Sequence, residues 1–437
     1  MPGKLLQMLG MAFGLAVLLG NTIVVGILRT PGDVAKSLPD TGLFLGVWVA
    51  GGLYALLGAI TMAEPGAMVA SSGGQYVFVR RGLGPYPGFV VGWSDWISTA
   101  ASGSFVSMVF AEYLVPFVPA LEPYRVAIGC GVMVLVGLLN WRSMKTSDAA
   151  QQVLSALKAL LFAALIAAGL LLAVPELPPA PVVPTLQGAA LFSAVIVALQ
   201  AVIYTYDGWT GPLYFGGEIK NPGRDIPRSM VSGLLLVIAI YLLINVTFVR
   251  VLGVARMAGD PFVASTVGRA IFGAQSDTLV RSLILVSVLS GLNAIMLMAS
   301  RPAFAMAEDG LLPRALRSVN AGGTPVGAHW ASIGIGLAFI LTDSYNTVLA
   351  IVAFFFVANY ALSFLSVFAL RRKEPDTPRP FKVPFYPFTP ALVLVASIAF
   401  LVGAVIGDKA NSVKALVLLA LSYPIYLGVK RLRLGGA

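Results

Sequence analysis

The chain has 437 residues, of which 58% are hydrophobic and 11% are charged, and its mean hydropathy is +0.88. A chain with so few polar residues cannot cover the surface of a soluble globular protein. The composition therefore indicates a multispan membrane protein in contact with a lipid bilayer. In a soluble protein a net charge of +10 would suggest a nucleic acid partner; here basic membrane loops account for it, and we expect no nucleic acid partner.

Twelve apolar runs approach or exceed the ~20 residues that a membrane-spanning helix needs. They are Leu5 to Leu28, Gly42 to Ala67, Gly88 to Val118, Tyr124 to Trp141, Val153 to Val174, Ala189 to Gly216, Met230 to Leu252, Leu283 to Met306, Gly327 to Thr342, Val348 to Leu370, Ala391 to Ile406 and Val413 to Val429. The ninth, eleventh and twelfth runs are short. The sequence shows no soluble domain, so residues 1–437 are predicted to form one membrane domain.

Basic residues in the loops predict the orientation of the chain. If the N-terminus is cytoplasmic, the inner segments carry nineteen lysines and arginines and the outer segments carry nine. This difference predicts that both termini are cytoplasmic, in a plasma (inner) membrane. The proline-rich stretch Pro175 to Thr185 is predicted to be an extended outer loop.

The first and sixth runs contain interruptions that a plain membrane anchor would not need. The first carries GNTIVVGILRTPG from Gly20 to Gly32, and the sixth carries YTYDGWTG from Tyr204 to Gly211, followed by Pro212. Non-helical backbone at membrane depth persists only where it lines a cavity or is buried in protein, and paired interruptions mark transporter binding sites. The alternative is that these glycines serve close helix packing.

Three charged residues within the spans have more than one interpretation. Lys158 lies six residues into the fifth run, where its ammonium either pairs inside the protein or extends to the membrane surface. Glu64 is either a gate or proton carrier, or a partner of the cytoplasmic loop. Asp207 either fixes the interrupted sixth helix or contacts a ligand. The aromatic residues Tyr204, Tyr206 and Trp209 could cover a small solute or pack in the core.

Enzymatic chemistry is not expected from this composition. Cys130 is the only cysteine and His329 the only histidine, which excludes intramolecular disulfides and sites built from several cysteines or histidines. The sequence shows no constellation of nucleophile, histidine and metal ligands. We therefore expect neither a cofactor nor a metal.

Five stretches resemble one transporter superfamily, in matching order and spacing. They are AEPGAMVASSGGQYVFV, GFVVGW, YDGWTGPLYFGGEIKNPGRDIPRSM, LNAIMLMASRPAFAMAEDGLLP and RRKEPDTPRPFKVPFYP. The chain thus resembles the amino acid, polyamine and organocation (APC) transporters, and in particular bacterial relatives of the L-type amino acid transporters.

The resemblance implies an all-α, LeuT-like fold of twelve transmembrane helices. Residues 1–175 and 186–373 would form two inverted five-helix repeats, with the first and sixth helices broken, and residues 388–437 would add two helices. In such proteins the broken helices bind the substrate's carboxylate and ammonium groups. The matching positions are Ile23, Val24, Val25, Gly26, Tyr204, Thr205, Asp207 and Gly208, with Tyr204 as an aromatic gate.

Two positions refine what the resemblance implies. Lys158 matches the lysine that replaces a sodium ion in several sodium-independent members, which favours a coupling or structural role over one at the membrane surface. The family's usual Gly-Ser-Gly-Ile reads Val24-Val25-Gly26-Ile27 here. Because a β-branched residue resists positive φ and close ligand approach, Val24 is expected to narrow, reshape or strain the carboxylate site.

These features predict a sodium-independent secondary transporter of amino acids that works by alternating access. A neutral substrate is favoured, because the core shows no surplus of acidic residues. Obligatory exchange and symport with protons both remain open, as does the oligomeric state. The alternatives are an amino acid-binding sensor or partner-dependent subunit with little transport, and a carrier of cationic amino acids or polyamines.

Overall fold

A computed structural model describes residues 5–24, 26–172, 186–273, 276–341, 345–407 and 409–434. The described residues form helices and contain no β-strand, which confirms the all-α prediction. The α-helices are α1 (Met11–Thr22), α2 (Gly26–Ser37), α3 (Thr41–Met68), α4 (Gln75–Leu83), α5 (Pro85–Leu114), α6 (Arg125–Arg142), α7 (Met144–Leu171), α8 (Gly188–Tyr206), α9 (Pro222–Leu252), α10 (Val254–Met257), α11 (Val263–Phe272), α12 (Ser276–Glu308), α13 (Val326–Leu341), α14 (Tyr345–Lys373), α15 (Phe388–Gly407) and α16 (Lys409–Leu434).

Ten of these helices are long and apolar enough to cross a membrane: α3, α5, α6, α7, α8, α9, α12, α14, α15 and α16. Together α1 and α2 qualify as one further span, bent by 43°. The apolar helix α13 has 16 residues and falls short of the length needed. The multispan class is confirmed within the described residues, whereas the count of twelve stays a prediction.

Local sequence signals explain where several helices begin. The Asp40 carboxylate accepts the Leu43 amide at 2.8 Å and caps α3, and the Ser143 hydroxyl accepts the Lys145 amide at 3.2 Å and caps α7. The first span extends further than predicted, because α2 continues to Ser37 rather than ending at Leu28. Its continuation is amphipathic, so the apolar run alone did not reveal it. The stretch Pro175 to Thr185 lies outside the described residues.

The spans pack as two groups. The bundle group consists of α1, α3, α8 and α9, and the scaffold group consists of α5, α6, α12 and α13. Helix α12 is the most enclosed span, with 78% of its apolar window buried, whereas α15 and α16 lie at the periphery with 22% and 17% buried. The two groups meet where α1 contacts α12, so the interrupted first span lies at their boundary.

A buried carboxylate joins α3 to the loop between α14 and α15. Glu64 accepts two hydrogen bonds from Arg371, at 2.8 and 2.6 Å, and one from the Val383 amide at 2.7 Å. Arg379 lies 3.2 Å from the same carboxylate. Of the two interpretations of Glu64, the structure therefore shows the pairing with the loop.

Glu64→Gln is expected to destabilise the protein by about 3 kcal/mol, because it leaves two arginines beside a neutral amide in a largely buried setting. The fall should be visible as a lower melting temperature in detergent. Glu122→Gln is the matched control, since Glu122 pairs with Arg125 at 2.8 Å with both side chains exposed; it should cost less than about 1 kcal/mol. Equal shifts for the two variants would contradict this assignment.

Candidate functional site

A buried lysine from α7 lies against the interruption between α1 and α2. Lys158 is 1% exposed, and its ammonium donates to the carbonyls of Gly20 at 3.1 Å, Leu19 at 3.4 Å and Ile23. Where a helix ends, its last carbonyls lose their intrahelical donors and need others. One ammonium supplies these donors here. The side chain thus points into the protein and does not extend to the membrane surface.

A serine from α12 holds the same interruption from the scaffold group. The Ser287 hydroxyl is within hydrogen-bond distance of the Ile23 carbonyl at 3.0 Å and the Val24 carbonyl at 3.2 Å, and it is fully buried. Ser287 was not predicted from the sequence to lie at the break. The polar spacing of Ser287 and Ser290 within an apolar run was the one available signal, and it does not identify a partner 264 residues away.

The second interruption follows α8 and touches the first. Gly208 has φ +114°, a conformation that favours glycine. A Cβ atom there would lie 2.8 Å from the backbone of both Asn21 and Thr22, which only the absence of a side chain permits. The Asn21 side-chain amide also donates to the Gly208 carbonyl at 3.3 Å. The two interruptions therefore form one continuous region.

A tyrosine from α9 bridges the two broken spans. The Tyr241 hydroxyl lies 2.8 Å from the Thr22 carbonyl and 3.1 Å from the Thr205 carbonyl, and its side chain is fully buried. Because a hydroxyl has one proton, the two carbonyls share a single donor. The sequence analysis missed Tyr241 as well, since a lone tyrosine in an apolar helix normally indicates core packing.

Asp207 is held by α14. The Tyr360 hydroxyl donates to its carboxylate, and the rings of Tyr360 and Trp209 lie 4.9 Å apart. Asp207 also borders the cavity described below. It therefore anchors the interruption while keeping an edge toward the cavity, so the two roles left open by the sequence are compatible.

A cavity of about 670 Å³ adjoins both interruptions. The cavity is lined by Gln75, Thr99, Tyr214, Met298, Val24, Gly26, Tyr204, Thr205, Asp207, Tyr360, Thr30, Arg29, Asp33, Gln200, Phe354, Gly403, Asn411 and Ser412, among others. The last three border the turn between α15 and α16, on the membrane side opposite the C-terminal end of α16. The cavity thus extends from the breaks toward the side away from that terminus.

The structure brings most of the predicted site residues to this cavity. Val24, Gly26, Tyr204, Thr205 and Asp207 line it, whereas Ile23, Gly208 and Lys158 lie behind it and support its wall. Val25 is outside the described residues. No cluster of three or more side chains suited to a metal ion occurs in the described part of the chain.

Two of the backbone amides expected to receive a carboxylate are already bonded. The amide of Ile23 donates to the Leu19 carbonyl at 3.0 Å, and that of Val24 donates to the Thr22 carbonyl at 3.1 Å. Direct contacts from the Ile23 and Val24 amides to a carboxylate would require these bonds to open, so this role stays a prediction. The first amides of α2, beginning at Gly26, have no acceptor within their own helix, and Gly26 lines the cavity.

The valine at position 24 fits because a glycine faces it. A Cβ atom on Gly291 of α12 would lie 2.7 and 2.8 Å from the two methyl groups of Val24. Valine has few rotamers with which to move away, so any larger residue at 291 would collide with it. Val24 is therefore accommodated because the neighbouring helix α12 has no side chain at position 291.

Buried polar contacts lie beneath the cavity, on the membrane side that carries the C-terminal end of α16. This side is called the terminal side below. Glu218, in the connection from α8 to α9, pairs with Arg301 of α12 at 2.9 Å, and the two side chains are 0% and 1% exposed. Nearby, the Tyr76 hydroxyl donates to Asp309 at 2.6 Å; burial and this bond raise the pKa of Tyr76 well above its usual value. The Glu218–Arg301 pair joins the connection between the bundle helices α8 and α9 to the scaffold helix α12, and the Tyr76–Asp309 bond joins α4 to the end of α12.

The comparisons with known proteins agree with this architecture. The family described as amino acid permease matches residues 4–429. The chain is 28% identical to the serine/threonine exchanger SteT of Bacillus subtilis (strain 168), over 97% of each chain. It is 27% identical to the human b(0,+)-type amino acid transporter 1, over 92% of this chain and 83% of the relative. It is 26% identical to the human large neutral amino acids transporter small subunit 2, over 86% and 72% respectively.

Lys158→Ala should destabilise the protein and weaken ligand binding at least tenfold, because it leaves carbonyls of the first break without a donor. Melting temperature and ligand-induced shifts measure both effects. If the ammonium occupies the place of a cation, sodium should stabilise the variant but not the unmodified protein. Lys145→Ala, at the exposed start of the same helix, is the control. A variant with unchanged stability and binding would exclude this role.

Gly291→Ala should lower the melting temperature when Val24 is present and be tolerated in a Val24→Gly background. The reason is that the new methyl group would lie 2.7 and 2.8 Å from the valine methyl groups, whereas its next contact, the Gly20 carbonyl oxygen, is 3.3 Å away. Val24→Gly by itself should change the affinity for amino acids or their order of preference, because Val24 borders the cavity. A double-mutant cycle on stability and binding measures the coupling. Additive effects, together with unchanged affinity and selectivity in Val24→Gly, would contradict both assignments.

Proposed function

Because the chain belongs to the amino acid permease family, we propose that it is a sodium-independent secondary transporter of amino acids, with neutral substrates favoured. Transport would proceed by alternating access around the cavity at the two interruptions. The observation that carries this proposal is the continuous region formed by both broken spans, with the Lys158 ammonium bonded to the carbonyls of the first. No bond is made or broken in the substrate.

Sodium independence follows from the fixed charge of Lys158. In a sodium-coupled carrier, carbonyls freed by a broken helix coordinate the ion. The carbonyls of Leu19, Gly20 and Ile23 already accept from an ammonium that is part of the chain. A sodium ion would have to displace this buried cation, at a cost in desolvation and repulsion.

The polarity of the cavity supports an amino acid as substrate. The positive end of α2 begins at Gly26 and would attract a carboxylate, while carbonyls at the end of α8 would receive an ammonium group. The cavity contains two acidic side chains, Asp33 and Asp207, but Arg29 also lines it and Tyr360 already donates to Asp207. This balance favours a neutral side chain over a cationic one.

The names of the relatives point in the same direction. One is a serine/threonine exchanger, and another belongs to a transporter of large neutral amino acids. The third is a b(0,+)-type amino acid transporter. The first two names support neutral amino acids as the substrate class of this chain.

Alternating access would exchange an opening on one side for an opening on the other. The described conformation has its cavity on the side away from the termini and is closed at the Glu218–Arg301 pair. Substrate binding would draw Tyr204 over the cavity, and the bundle group would then rock against the scaffold group. The closing contacts on the terminal side would have to separate before release.

We place the protein in the plasma membrane with both termini in the cytoplasm. The support is the excess of lysine and arginine in the connections on the terminal side. The pair Arg81 and Glu374 joins two of these connections, and the guanidinium lowers the pKa of the carboxyl group. With this orientation the cavity faces the outside of the cell.

Purified protein in liposomes should take up neutral amino acids at rates that agree within about twofold whether the buffer contains sodium or choline. A thermal-shift screen of all amino acids should identify the substrate first, because a ligand stabilises the state that binds it. Liposomes without the protein are the control for leakage. Uptake of arginine or lysine alone would contradict the substrate class, and a strict need for sodium would contradict the role of Lys158.

A further inference from the structure

A further acidic residue, separate from the two that line the cavity, lies behind the cavity wall and outside the breaks, and among the described residues no cation is bonded to it. Asp95 of α5 is fully buried in the middle of a membrane span. One carboxylate oxygen accepts the Tyr214 hydroxyl at 2.6 Å and lies 3.4 Å from the Thr99 hydroxyl. The other oxygen, Oδ2, is buried and lacks a hydrogen-bond partner. A carboxylate so placed is costly to keep charged.

The cations on the helices around α5 are engaged elsewhere. These helices are α4, α6, α12, α13, α14 and α16. Their basic groups bond as follows: Arg80 to Asp309, Arg81 to Glu374, Arg125 to Glu122, Arg301 to Glu218, His329 to the Gly137 carbonyl, Arg371 to Glu64 and Lys373 to the Gly82 carbonyl. The remaining lysines and arginines described on α6, α12, α14 and α16, including Arg281 of α12, lie in the terminal turns of their helices.

The groups nearest to Asp95 are one further acid and several hydroxyls, and of these the acid disfavours a charge on Asp95. Asp207, at the end of α8, is close enough to repel it electrostatically. Tyr214 donates to it, and Tyr360 of α14 donates to Asp207. Within the described residues, Asp95 is therefore surrounded by hydroxyl donors and one acid, with no cation bonded to it.

Asp95 is connected to the cavity by hydroxyl groups. Tyr214 and Thr99 both line the cavity, and both hydroxyls point at the same Asp95 oxygen. Asp95 itself does not line the cavity, so a substrate would not touch it directly. Hydroxyl groups can pass a proton where a larger cation cannot enter. This arrangement suits a proton better than a cationic substrate side chain.

The same contact crosses the boundary between the two packed groups. Asp95 belongs to the scaffold group, whereas Tyr214 lies in the segment that follows α8 and leads to Glu218. Any rocking of the bundle group against the scaffold group therefore changes the bond between Tyr214 and Asp95. The protonation of Asp95 is thus coupled by geometry to the movement that opens and closes the cavity.

We propose that Asp95 is the proton-binding site of this transporter and that it makes the protein a proton symporter rather than an obligatory exchanger. The inference rests on the proposed transport function. A proton enters from the cavity and forms an O–H bond on the Asp95 carboxylate. The substrate is carried across while Asp95 is protonated. The O–H bond then breaks, the proton leaves on the terminal side, and the carboxylate is restored.

Proteoliposomes that contain a pH-sensitive dye and no internal amino acid test this proposal. With the unmodified protein, addition of the amino acid identified in the stability screen should acidify the interior, by about one proton per molecule taken up because one carboxyl group binds one proton. In Asp95→Asn this ratio should fall at least tenfold. Asp376→Asn, which changes an exposed acid in the connection between α14 and α15, is the control and should keep the original ratio.

Further variants keep the test informative if Asp95→Asn folds poorly. Asp95→Glu retains a carboxyl group and should retain proton uptake. Tyr214→Phe removes a hydrogen bond to the charged form, so the pH at which transport is half-maximal should rise. Proton uptake that persists in Asp95→Asn, or a half-maximal pH that does not move in Tyr214→Phe, would overturn the proposal.

The same liposomes separate this proposal from the proposed function. Preloaded with amino acid, they report exchange whether or not protons move. Exchange without proton uptake in the unmodified protein would overturn the role of Asp95 and leave amino acid transport intact. If neither exchange nor net uptake occurs with any amino acid, the transport function itself is wrong.

Discussion

Hydrocarbon offers no hydrogen-bond donors, so each carbonyl freed by a break within a membrane helix must find one inside the protein. The described structure meets this requirement with three side chains from three helices. Lys158 comes from α7, Ser287 from α12 and Tyr241 from α9. Their convergence fixes where the first span can be broken. The position of the cavity, and with it the proposed transport, depends on these bonds.

The sequence predicts the breaks well because it marks them locally. Glycine and polar residues are rare in plain membrane anchors, so Gly20 to Gly26 and Tyr204 to Gly211 stand out from their runs. Lys158 stands out for the same reason, since a charge is costly within a span. These features therefore predict the general class of fold and five residues of the cavity wall, Val24, Gly26, Tyr204, Thr205 and Asp207.

The rest could not be predicted because it depends on distant pairings. Tyr241 and Ser287 look like ordinary residues of apolar helices until the fold brings them to carbonyls of the first span. Val24 is a β-branched residue and by type unsuited to a broken helix. It fits because Gly291 has no side chain to collide with its methyl groups. Similarly, the position of Asp95 in GWSDW does not by itself predict a role, because that role depends on a contact with Tyr214, 119 residues away.

The contact between Gly208 and the backbone of Asn21 and Thr22 leaves no room for the two breaks to slide past each other. In the proposed transport cycle they would therefore move as one body, and the displacement would occur against α7 and α12. Lys158 is suited to this boundary, because three carbonyls lie within reach of a single ammonium. A small shift of α1 changes which carbonyl is the nearest acceptor without leaving the charge unpaired. Because several acceptors lie within reach, the ammonium would stay hydrogen-bonded throughout such a shift. The buried cation would then permit the displacement of α1 instead of opposing it.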